Sequence, residues 1–194
     1  MNTDIILKLY SRPETVFTVD EVCQLFPETA YESVRDRLYY FTKVGKLKRL
    51  HQGIYGKKDY NPLELVNKLY KPSYISLETV LAREGVVFQY YETLFAVTYL
   101  TRTVIVGDIK IQYRQIKPEV LTNMEGIEHK NGYFIASLER SFCDAVYIYK
   151  NYHFDNLGGL DWKKVKSIQG IYKNRAFEKR VDSYYRDYKE DYAT

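Results

Sequence analysis

ETAYESVRDRLYYFTKVGKLKRLHQGIYG, residues 28–56, is the stretch from which the fold is best inferred. Its apolar residues Val34, Leu38 and Phe41 recur at the spacing of one helix face, so the pattern predicts an amphipathic helix. Gly45 follows the last periodic turn, at the place where a left-handed glycine commonly ends a helix. The stretch therefore predicts a helix that stops at a defined glycine.

Two short runs with apolar residues follow this helix, at residues 47–50 and 54–55. His51, Gln52 and Gly53 separate them, and a connection of this length with a glycine is typical of a tight β-hairpin. A helix, a glycine and a small basic hairpin form the sequence pattern of the recognition helix and wing of a winged helix-turn-helix.

Positive charge is concentrated in the same stretch. Between Arg35 and Lys58 there are eight basic residues and a single acidic one, Asp36. Such a cluster favours binding to the phosphate backbone of DNA. The alternative is an amphipathic helix and a hairpin whose basic face is simply solvated.

If the apolar stripe packs inward, the opposite face of the helix is free to meet DNA. We expect the N-terminal half of that face to read base edges and its C-terminal half to contact the backbone. The hairpin would reach the minor groove or the phosphates. The predicted DNA-binding residues are Ser33, Arg35, Asp36, Tyr39, Tyr40, Lys43, Lys46, Lys48, Arg49, His51 and Gln52.

Length and composition indicate an ordinary folded protein. The chain has 194 residues, a net charge of +4 and 45% hydrophobic residues, enough for a core. Cys23 and Cys143 lie far apart without metal-binding spacing, so we expect both to be small buried hydrophobes. The chain starts without a signal-peptide pattern, and no apolar run approaches the roughly 18 residues of a membrane span. We therefore expect a cytoplasmic protein that does not enter membranes.

Two more helices are expected before the decisive stretch. Residues 4–11 form an amphipathic pattern, and Thr18 is placed to cap a second helix. Glu28 and Thr29 are the possible caps of the third. With the hairpin, these three helices complete the winged helix-turn-helix domain predicted for residues 1–58.

From residue 59 onward, helix signals alternate with strand signals. A period of two between residues 86 and 116 predicts strands. The expected turns are Gly107-Asp108 and Asn131-Gly132, and the expected helix caps are Asn61, Ser76 and Ser137. Residues 59–194 are thus predicted to form a mixed α/β domain with a small β-sheet and C-terminal helices, and the whole chain to be α+β.

A second basic cluster lies near the C-terminus. Residues 163–180 contain seven basic residues and one acidic residue, Glu178. The cluster is either a nucleic-acid surface or a solvated helical face, and the sequence does not separate the two. Its basic residues are Lys163, Lys164, Lys166, Lys173, Arg175, Lys179 and Arg180.

The sequence lacks the residue patterns of catalysis and metal binding. His51, His129 and His153 are isolated, without the spacing of a metal site. Ser141 and Cys143 have no histidine near them, and no phosphate-binding glycine loop is present. We therefore expect no enzyme activity, no metal and no cofactor.

GKLKRLHQGIYGKKDYNP, together with the predicted winged helix, resembles the N-terminal domain of AbiEi-type antitoxins from bacterial type IV toxin–antitoxin systems of abortive infection. Three later segments are also similar to that family: PSYISLETVLAREGVV, TRTVIVGDIKIQYRQI and NGYFIASLERSFCDAVY. The similarity covers about residues 15–150, and its motifs are hydrophobic rather than catalytic. Residues 137–141, SLERS, depart from the proline and alanine usual in the family.

The resemblance implies a phage-defence antitoxin that represses its own operon. The winged helix would bind inverted repeats in double-stranded operator DNA, as a monomer or a weak dimer. The C-terminal domain would counter a nucleotidyltransferase-like toxin without requiring a stable complex. Two alternatives stay open: a winged-helix regulator with a ligand-binding or dimerisation domain and no toxin partner, and an interaction module whose winged helix contacts protein or RNA.

Overall fold

The N-terminal part of the chain packs three helices against a small antiparallel sheet. A computed structural model describes residues 5–89 and 92–192, with side chains as far as residue 190. The first elements are α1 (Ile5–Tyr10), β1 (Val16–Thr18), α2 (Val19–Leu25), α3 (Tyr31–Lys43), β2 (Lys48–His51) and β3 (Ile54–Gly56). Their strands pair in the order β1-β3-β2.

In the part of the chain that the structure describes, the later strands form one six-stranded sheet. The elements are α4 (Pro62–Leu69), β4 (Ser73–Ile75), α5 (Glu78–Arg83), β5 (Leu94–Thr98), β6 (Arg102–Val106), β7 (Ile109–Gln115), α6 (Pro118–Leu121), β8 (Ile127–Lys130), β9 (Tyr133–Ala136), α7 (Leu138–Ile148), α8 (Trp162–Gln169) and α9 (Arg175–Tyr192). The fold is mixed α+β, as predicted.

The six-stranded sheet is larger than the small sheet expected. Its strands run in the order β6-β7-β5-β4-β9-β8, with β5 parallel to β7 and β4 parallel to β9. The predicted hairpins at Gly107-Asp108 and Asn131-Gly132 join β6 to β7 and β8 to β9. The strand that was not predicted is β4. It is buried and has three residues, which is too short to show an alternating pattern.

Helix α3 forms and ends as its sequence predicts. Val34, Leu38 and Phe41 are all buried. Gly45 has a φ of +70°, and the N–H of Lys46 donates to the carbonyl of Phe41 at 2.9 Å. This is the hydrogen-bond pattern with which a left-handed glycine closes a helix.

The start of α3 differs from the prediction. The residue before the helix is Ala30, and no side chain caps it, so the expectation of Glu28 or Thr29 as the cap is wrong. The N–H of Thr29 donates to the carbonyl of Phe26 at 2.9 Å. Thr29 is therefore committed to a turn that follows α2.

Of the four other expected helix caps, three are confirmed and one is wrong. The side chains of Thr18, Asn61 and Ser137 accept backbone hydrogen bonds at the starts of α2, α4 and α7. Ser76 does not cap α5, because its hydroxyl donates to the buried carboxylate of Asp144 at 2.8 Å. The Ser76 hydroxyl therefore bonds a buried acid and not the start of α5, where the local pattern had placed it.

The side chains of the sheet point alternately into two cores. Tyr74, Phe95 and Val97 contribute to a large cluster with α5, α7, α8 and α9. Ile75 and Ala96, the next residues along the same strands, belong to a second cluster with α4. A third cluster, formed mainly by α1, α2 and α3 with Phe17 of β1 and Tyr55 of β3, contains the buried stripe of α3. Both faces of the sheet are therefore covered.

The second cluster also joins the two halves of the chain. Val16 of β1 and Ile54 of β3 lie in it together with Leu65 of α4. The buried carboxylate of Glu64 accepts hydrogen bonds from the N–H and hydroxyl of Thr15, both at 2.7 Å, and from the N–H of Val16 at 2.9 Å. Apolar packing and hydrogen bonds thus cross the predicted boundary between residues 58 and 59.

A buried arginine lies in the large cluster. Nε of Arg140 is 3.4 Å from Oδ1 of Asp144, and neither side chain is exposed. Its Nη1 donates to the carbonyl of Glu125 at 2.8 Å, and its Nη2 donates to the carbonyl of Val120 at 2.7 Å and to the hydroxyl of Tyr74 at 3.1 Å. Arg140 therefore ties α7 to the segment around α6.

Asp144 accepts hydrogen bonds from three hydroxyl groups. It accepts hydrogen bonds from Tyr172 at 2.6 Å, Ser76 at 2.8 Å and Tyr74 at 3.2 Å. Burial raises the pKa of Asp144, although the charge of Arg140 and these hydrogen bonds oppose the rise. We name Arg140, Asp144, Tyr74, Tyr172 and Ser76 the buried polar cluster.

The two cysteines have different surroundings. Cys143 is fully buried, as predicted. Cys23 is only partly buried, so the expectation for it is wrong. Its neighbour Val22 faces the core, and one residue further along a helix turns the side chain by about 100° toward the surface.

Candidate nucleic-acid interface

The outer face of α3 and the β2–β3 hairpin carry all the predicted DNA-binding residues. Every one of the eleven is exposed. We name these residues the α3–hairpin surface: Ser33, Arg35, Asp36, Tyr39, Tyr40, Lys43, Lys46, Lys48, Arg49, His51 and Gln52. Because Val34, Leu38 and Phe41 are packed in the core, α3 cannot rotate about its axis without exposing them to water. The opposite face of α3 is therefore held toward solvent.

The exposed face of α3 carries both acidic and basic residues. At about 100° per residue, Glu32, Asp36 and Lys43 lie opposite the buried stripe, and Arg35 and Arg37 lie on the two flanks. Arg37 is exposed although it was not among the predicted residues. Its position directly before a buried leucine gave no signal by which to choose it.

The basic residues of the α3–hairpin surface have few partners within the protein. Among the described residues, their one ion pair joins Nη2 of Arg35 to Oδ1 of Asp36 at 3.5 Å, between two exposed side chains. Exposed pairs of this kind are weak. Nζ of Lys43 lies 5.2 Å from the ring centroid of Tyr39. Most of the positive charge is therefore available to an anion outside the protein.

The hairpin is anchored at its tip. Gly53 has a φ of +70°, and its carbonyl accepts a hydrogen bond from the N–H of Val19 at 3.0 Å. The register with β3 shifts between Arg49 and His51, which indicates a bulge in β2. The basic hairpin is thus held against the start of α2.

Lys57, one of the basic residues counted in the sequence, is partly buried and hydrogen-bonded within the protein. Its Nζ donates to the carbonyl of Arg12 at 2.7 Å. Burial lowers the pKa of Lys57, and the nearby charges of Glu64 and Glu14 oppose that change. It contributes to the contact between β3 and the segment before β1.

A groove of about 610 Å³ separates the hairpin from the β6–β7 turn. Lys48 and Arg49 line one wall, and Asp108 lines the other. Burial and, to a smaller extent, the charge of Asp108 raise the pKa of Tyr60 in the same groove. A carboxylate of the second half therefore lies beside the basic hairpin.

The second basic cluster lies on α8, on Lys173 before α9 and on the first turns of α9. Six of its seven predicted residues are exposed. Arg180 is half-buried, and its Nε donates to the carbonyl of Val146 at 3.1 Å. Nζ of Lys166 lies 5.7 Å from the ring centroid of Tyr185. We name the six exposed residues the α8–α9 basic surface: Lys163, Lys164, Lys166, Lys173, Arg175 and Lys179.

The histidines do not come together in the fold. His51 lies in β2, His129 packs on Phe134 with 4.8 Å between ring centroids, and Nε2 of His153 is 3.6 Å from Oδ1 of Asp155. Within residues 5–89 and 92–192, no group of three or more His, Cys, Asp or Glu side chains is arranged to hold a metal ion.

Ser141 and Cys143 point into the protein. Neither side chain is exposed, and the hydroxyl of Ser141 accepts a hydrogen bond from Ser76 at 3.3 Å. Burial raises the pKa of the Cys143 thiol. A thiol with a raised pKa is a poor nucleophile, so this pair has the character of core packing.

Neither a scan against protein-family models nor a search of curated proteins finds a match for this chain. None of the helices in the described part of the chain has the length and apolar character needed to span a membrane. The surfaces of the fold are therefore the basis for proposing a function.

Proposed function

We propose that this chain is a winged helix-turn-helix repressor of its own operon and the antitoxin of a type IV toxin–antitoxin system. The observation that carries the DNA-binding part is the α3–hairpin surface, an exposed set of cations with a single weak internal ion pair. Cations that the protein does not neutralise are suited to phosphate groups.

The arrangement of the N-terminal elements supports a winged helix. Three helices pack around one core, the last of them is followed by a hairpin, and β1 pairs with β3 to complete the sheet. In this proposal α3 is the recognition helix and the β2–β3 hairpin is the wing. A recognition helix lies in the major groove and reads base edges with its exposed side chains.

The charged residues of α3 indicate which part of the helix would contact bases and which part would contact phosphates. Arg35 can pair with guanine, and Asp36 can accept a hydrogen bond from the amino group of cytosine. Lys43 at the end of the helix and Lys46 in the turn after it would contact phosphates, as would Arg49 of the wing. Acidic residues at the centre of the face disfavour purely non-specific phosphate binding, so we infer that the surface reads sequence.

The chain is proposed to bind double-stranded operator DNA as a monomer or a weak dimer at inverted repeats. A single small DNA-binding module gives limited affinity, so a second copy or a second contact is needed. The α8–α9 basic surface could supply that second contact, since its six cations are exposed.

The antitoxin part of the proposal is supported by the resemblance to AbiEi-type proteins. We assign the countering of a nucleotidyltransferase-like toxin to the α/β part that follows residue 58, without a stable complex. This role requires no catalysis, metal or cofactor from the chain. Cytoplasmic location follows from the proposed partners, which are DNA and a toxin of the cytoplasm.

The test of DNA binding is a titration at several salt concentrations on the DNA upstream of this gene and on scrambled DNA of equal length. We expect tighter binding to the upstream DNA and a steep loss of affinity with salt. Weak and equal binding to both would overturn the repressor proposal and favour a module that contacts protein or RNA.

The test of the antitoxin role uses cells that express a nucleotidyltransferase toxin encoded beside this gene. We expect the full chain to restore growth, and the full-length Arg35→Ala/Arg49→Ala variant to restore it equally while losing repression of a reporter. Growth that neither protein restores would overturn the antitoxin role and leave the repressor role standing.

A second candidate is a winged-helix regulator that responds to a small ligand and has no toxin partner. A cleft between the two halves of the chain favours it.

A further inference from the structure

A cleft of about 450 Å³ lies where the N-terminal helices meet the six-stranded sheet. Its walls come from α2, α4, β4, β8, β9 and the segment after α6. The volume falls within the range of small-molecule sites, which is roughly 300–1,000 Å³. Sites of this kind occur preferentially between structural units, as this one does.

One wall of the cleft is apolar and accessible. Met124 is 54% exposed and Phe134 is 38% exposed, and both line the cleft together with Leu121 and Ile127. The ring of His129 packs against Phe134 and extends this wall. A ligand with an apolar body would remove these side chains from water and gain free energy by doing so.

The opposite end of the cleft carries an excess of positive charge. A single oxygen, Oε1 of Glu21, accepts hydrogen bonds from Nζ of Lys68 at 2.7 Å and from Nζ of Lys71 at 3.1 Å. One carboxylate thus faces two ammonium groups. The Lys68 side chain is 11% exposed and the Lys71 side chain is 60% exposed, so Lys71 can turn toward a ligand.

The other acid in the cleft does not cancel this excess. Both carboxylate oxygens of Glu14 are engaged by Arg12, at 2.8 Å and 3.0 Å. This bidentate pair neutralises its own charges. The excess near Glu21 therefore amounts to one positive charge.

The floor of the cleft is fixed in place. Nδ2 of Asn67 donates to the carbonyl and hydroxyl of Ser73, and its Oδ1 accepts from the N–H of Phe134 at 2.9 Å. Asn67 is buried. A site whose floor is held by hydrogen bonds loses little freedom when a ligand binds.

We propose that this cleft binds a small aromatic monocarboxylate. The ammonium group of Lys71 pairs with the carboxylate of the ligand, and Lys68 adds positive charge beside it. The aromatic ring of the ligand lies against Met124 and Phe134. A monoanion matches the single excess positive charge, and an aromatic body matches the apolar wall. Lys71 and Phe134 are thus the residues on which affinity depends most.

Occupancy of the cleft is connected to the DNA-binding helices through Glu21. The same carboxylate that holds the two lysines also accepts a hydrogen bond from the N–H of Thr18 at 3.0 Å and completes the cap of α2. An anion that draws Lys71 away from Glu21 changes the balance of contacts at the start of α2. We expect bound carboxylate to alter affinity for operator DNA, and this expectation rests on the proposed function.

The experiment is a calorimetric titration of the full chain with 4-phenylbutyrate as the probe and its neutral amide as the control ligand. We expect saturable binding of the carboxylate and much weaker binding of the amide. Lys71→Ala should weaken binding about tenfold and Phe134→Ala about fivefold. Lys110→Ala and Ile105→Ala are matched controls, because both residues are exposed and lie outside the cleft, and they should bind like the wild type.

Absence of saturable binding in the millimolar range would overturn the site, as would equal binding of the amide or equal losses in the control variants. A second titration measures upstream DNA affinity with and without the probe. Binding of the probe without any DNA binding would refute the proposed function and leave the site in place. DNA binding with no response to a saturating probe would refute the connection through Glu21.

Discussion

Two regions of this protein use arginine in opposite ways. On the α3–hairpin surface the side chain of Arg35 is 55% exposed, and its ion pair is a 3.5 Å contact with Asp36, whose side chain is 73% exposed. In the buried polar cluster Arg140 is inaccessible to solvent, and its guanidinium contacts three backbone carbonyls, a tyrosine hydroxyl and a carboxylate.

The difference separates charges that hold the fold from charges that are free for a partner. A buried ion is costly unless it is paired, and Arg140 is paired with Asp144 and hydrogen-bonded through both Nη atoms, so it is committed to the interior. An exposed cation without a strong internal partner contributes little to stability. Substitution should therefore affect stability in one region and binding in the other.

The largest effect is expected from Arg140→Met. Removing the guanidinium leaves the carboxylate of Asp144 buried without a cation, and we expect the free energy of unfolding to fall by about 3–5 kcal/mol. Urea unfolding followed by circular dichroism measures the loss. The double variant Arg140→Met/Asp144→Leu should recover part of it, because it removes the unpaired charge as well.

Arg35→Met is the matched control for that substitution. It should change the free energy of unfolding by no more than about 0.5 kcal/mol. If Arg35→Met and Arg140→Met lowered the free energy of unfolding by similar amounts, the proposed difference between the two regions would be wrong.

The next largest effect is expected from Arg35→Ala/Arg49→Ala, which acts on binding. Loss of two phosphate or base contacts should reduce affinity for upstream DNA by about tenfold or more and reduce the salt slope by about 2. Titrations at several salt concentrations measure both quantities. Unchanged affinity and slope, with the protein folded, would remove DNA binding from this surface.

A smaller effect is expected at Glu21, which lies between the two extremes because it is half-buried. Burial raises its pKa, but hydrogen bonds from Lys68, from the N–H of Thr18 and from Lys71 outweigh burial, so the pKa is lowered overall. A carboxylate with a lowered pKa stabilises the fold above its unfolded pKa, and this stability is lost as the pH falls through the folded value.

Lys68→Met tests that prediction. The variant should be less stable than the wild type by about 1 kcal/mol at pH 7, and the difference should shrink as the pH falls from about 5 to about 3. Urea unfolding at each pH provides the comparison, with Lys110→Met as the control. A difference that stays constant across this range would show that Glu21 is not its source.

The smallest effect is expected from Asp108→Asn. This acid shares a groove with Lys48 and Arg49 of the hairpin, so removing its charge should raise DNA affinity about twofold at low salt. Glu119→Gln is the control, since that exposed acid lies on α6 and does not line the groove. An equal gain in both variants would point to net charge alone.

Sequence was informative where the structure is determined locally. The spacing of Val34, Leu38 and Phe41 predicted α3 and its buried side, and Gly45 predicted its end. Each of these features is determined by residues within a few helical turns of one another, so the local sequence is enough to predict it. The exposure of the predicted DNA-binding residues on α3 follows from the same periodicity.

Features that depend on distant partners were missed. Ser76 is a good local helix cap, but Asp144, which lies 68 residues further along the chain, binds its hydroxyl instead. Arg180 lies in a strongly basic stretch of the kind that is usually solvated, yet its Nε donates a hydrogen bond to the carbonyl of Val146. The cleft is formed by segments from both halves of the chain, so no local pattern predicts it.

The apolar cluster shared by β1, β3 and α4 has a consequence for how the protein melts. Val16 and Ile54 are covered by residues that follow the predicted boundary, among them Leu65. If either half unfolded alone, the other would expose this apolar surface to water at a considerable cost in free energy. The chain should therefore denature in one cooperative transition, with equal calorimetric and van't Hoff enthalpies, even though its two halves are proposed to serve separate tasks.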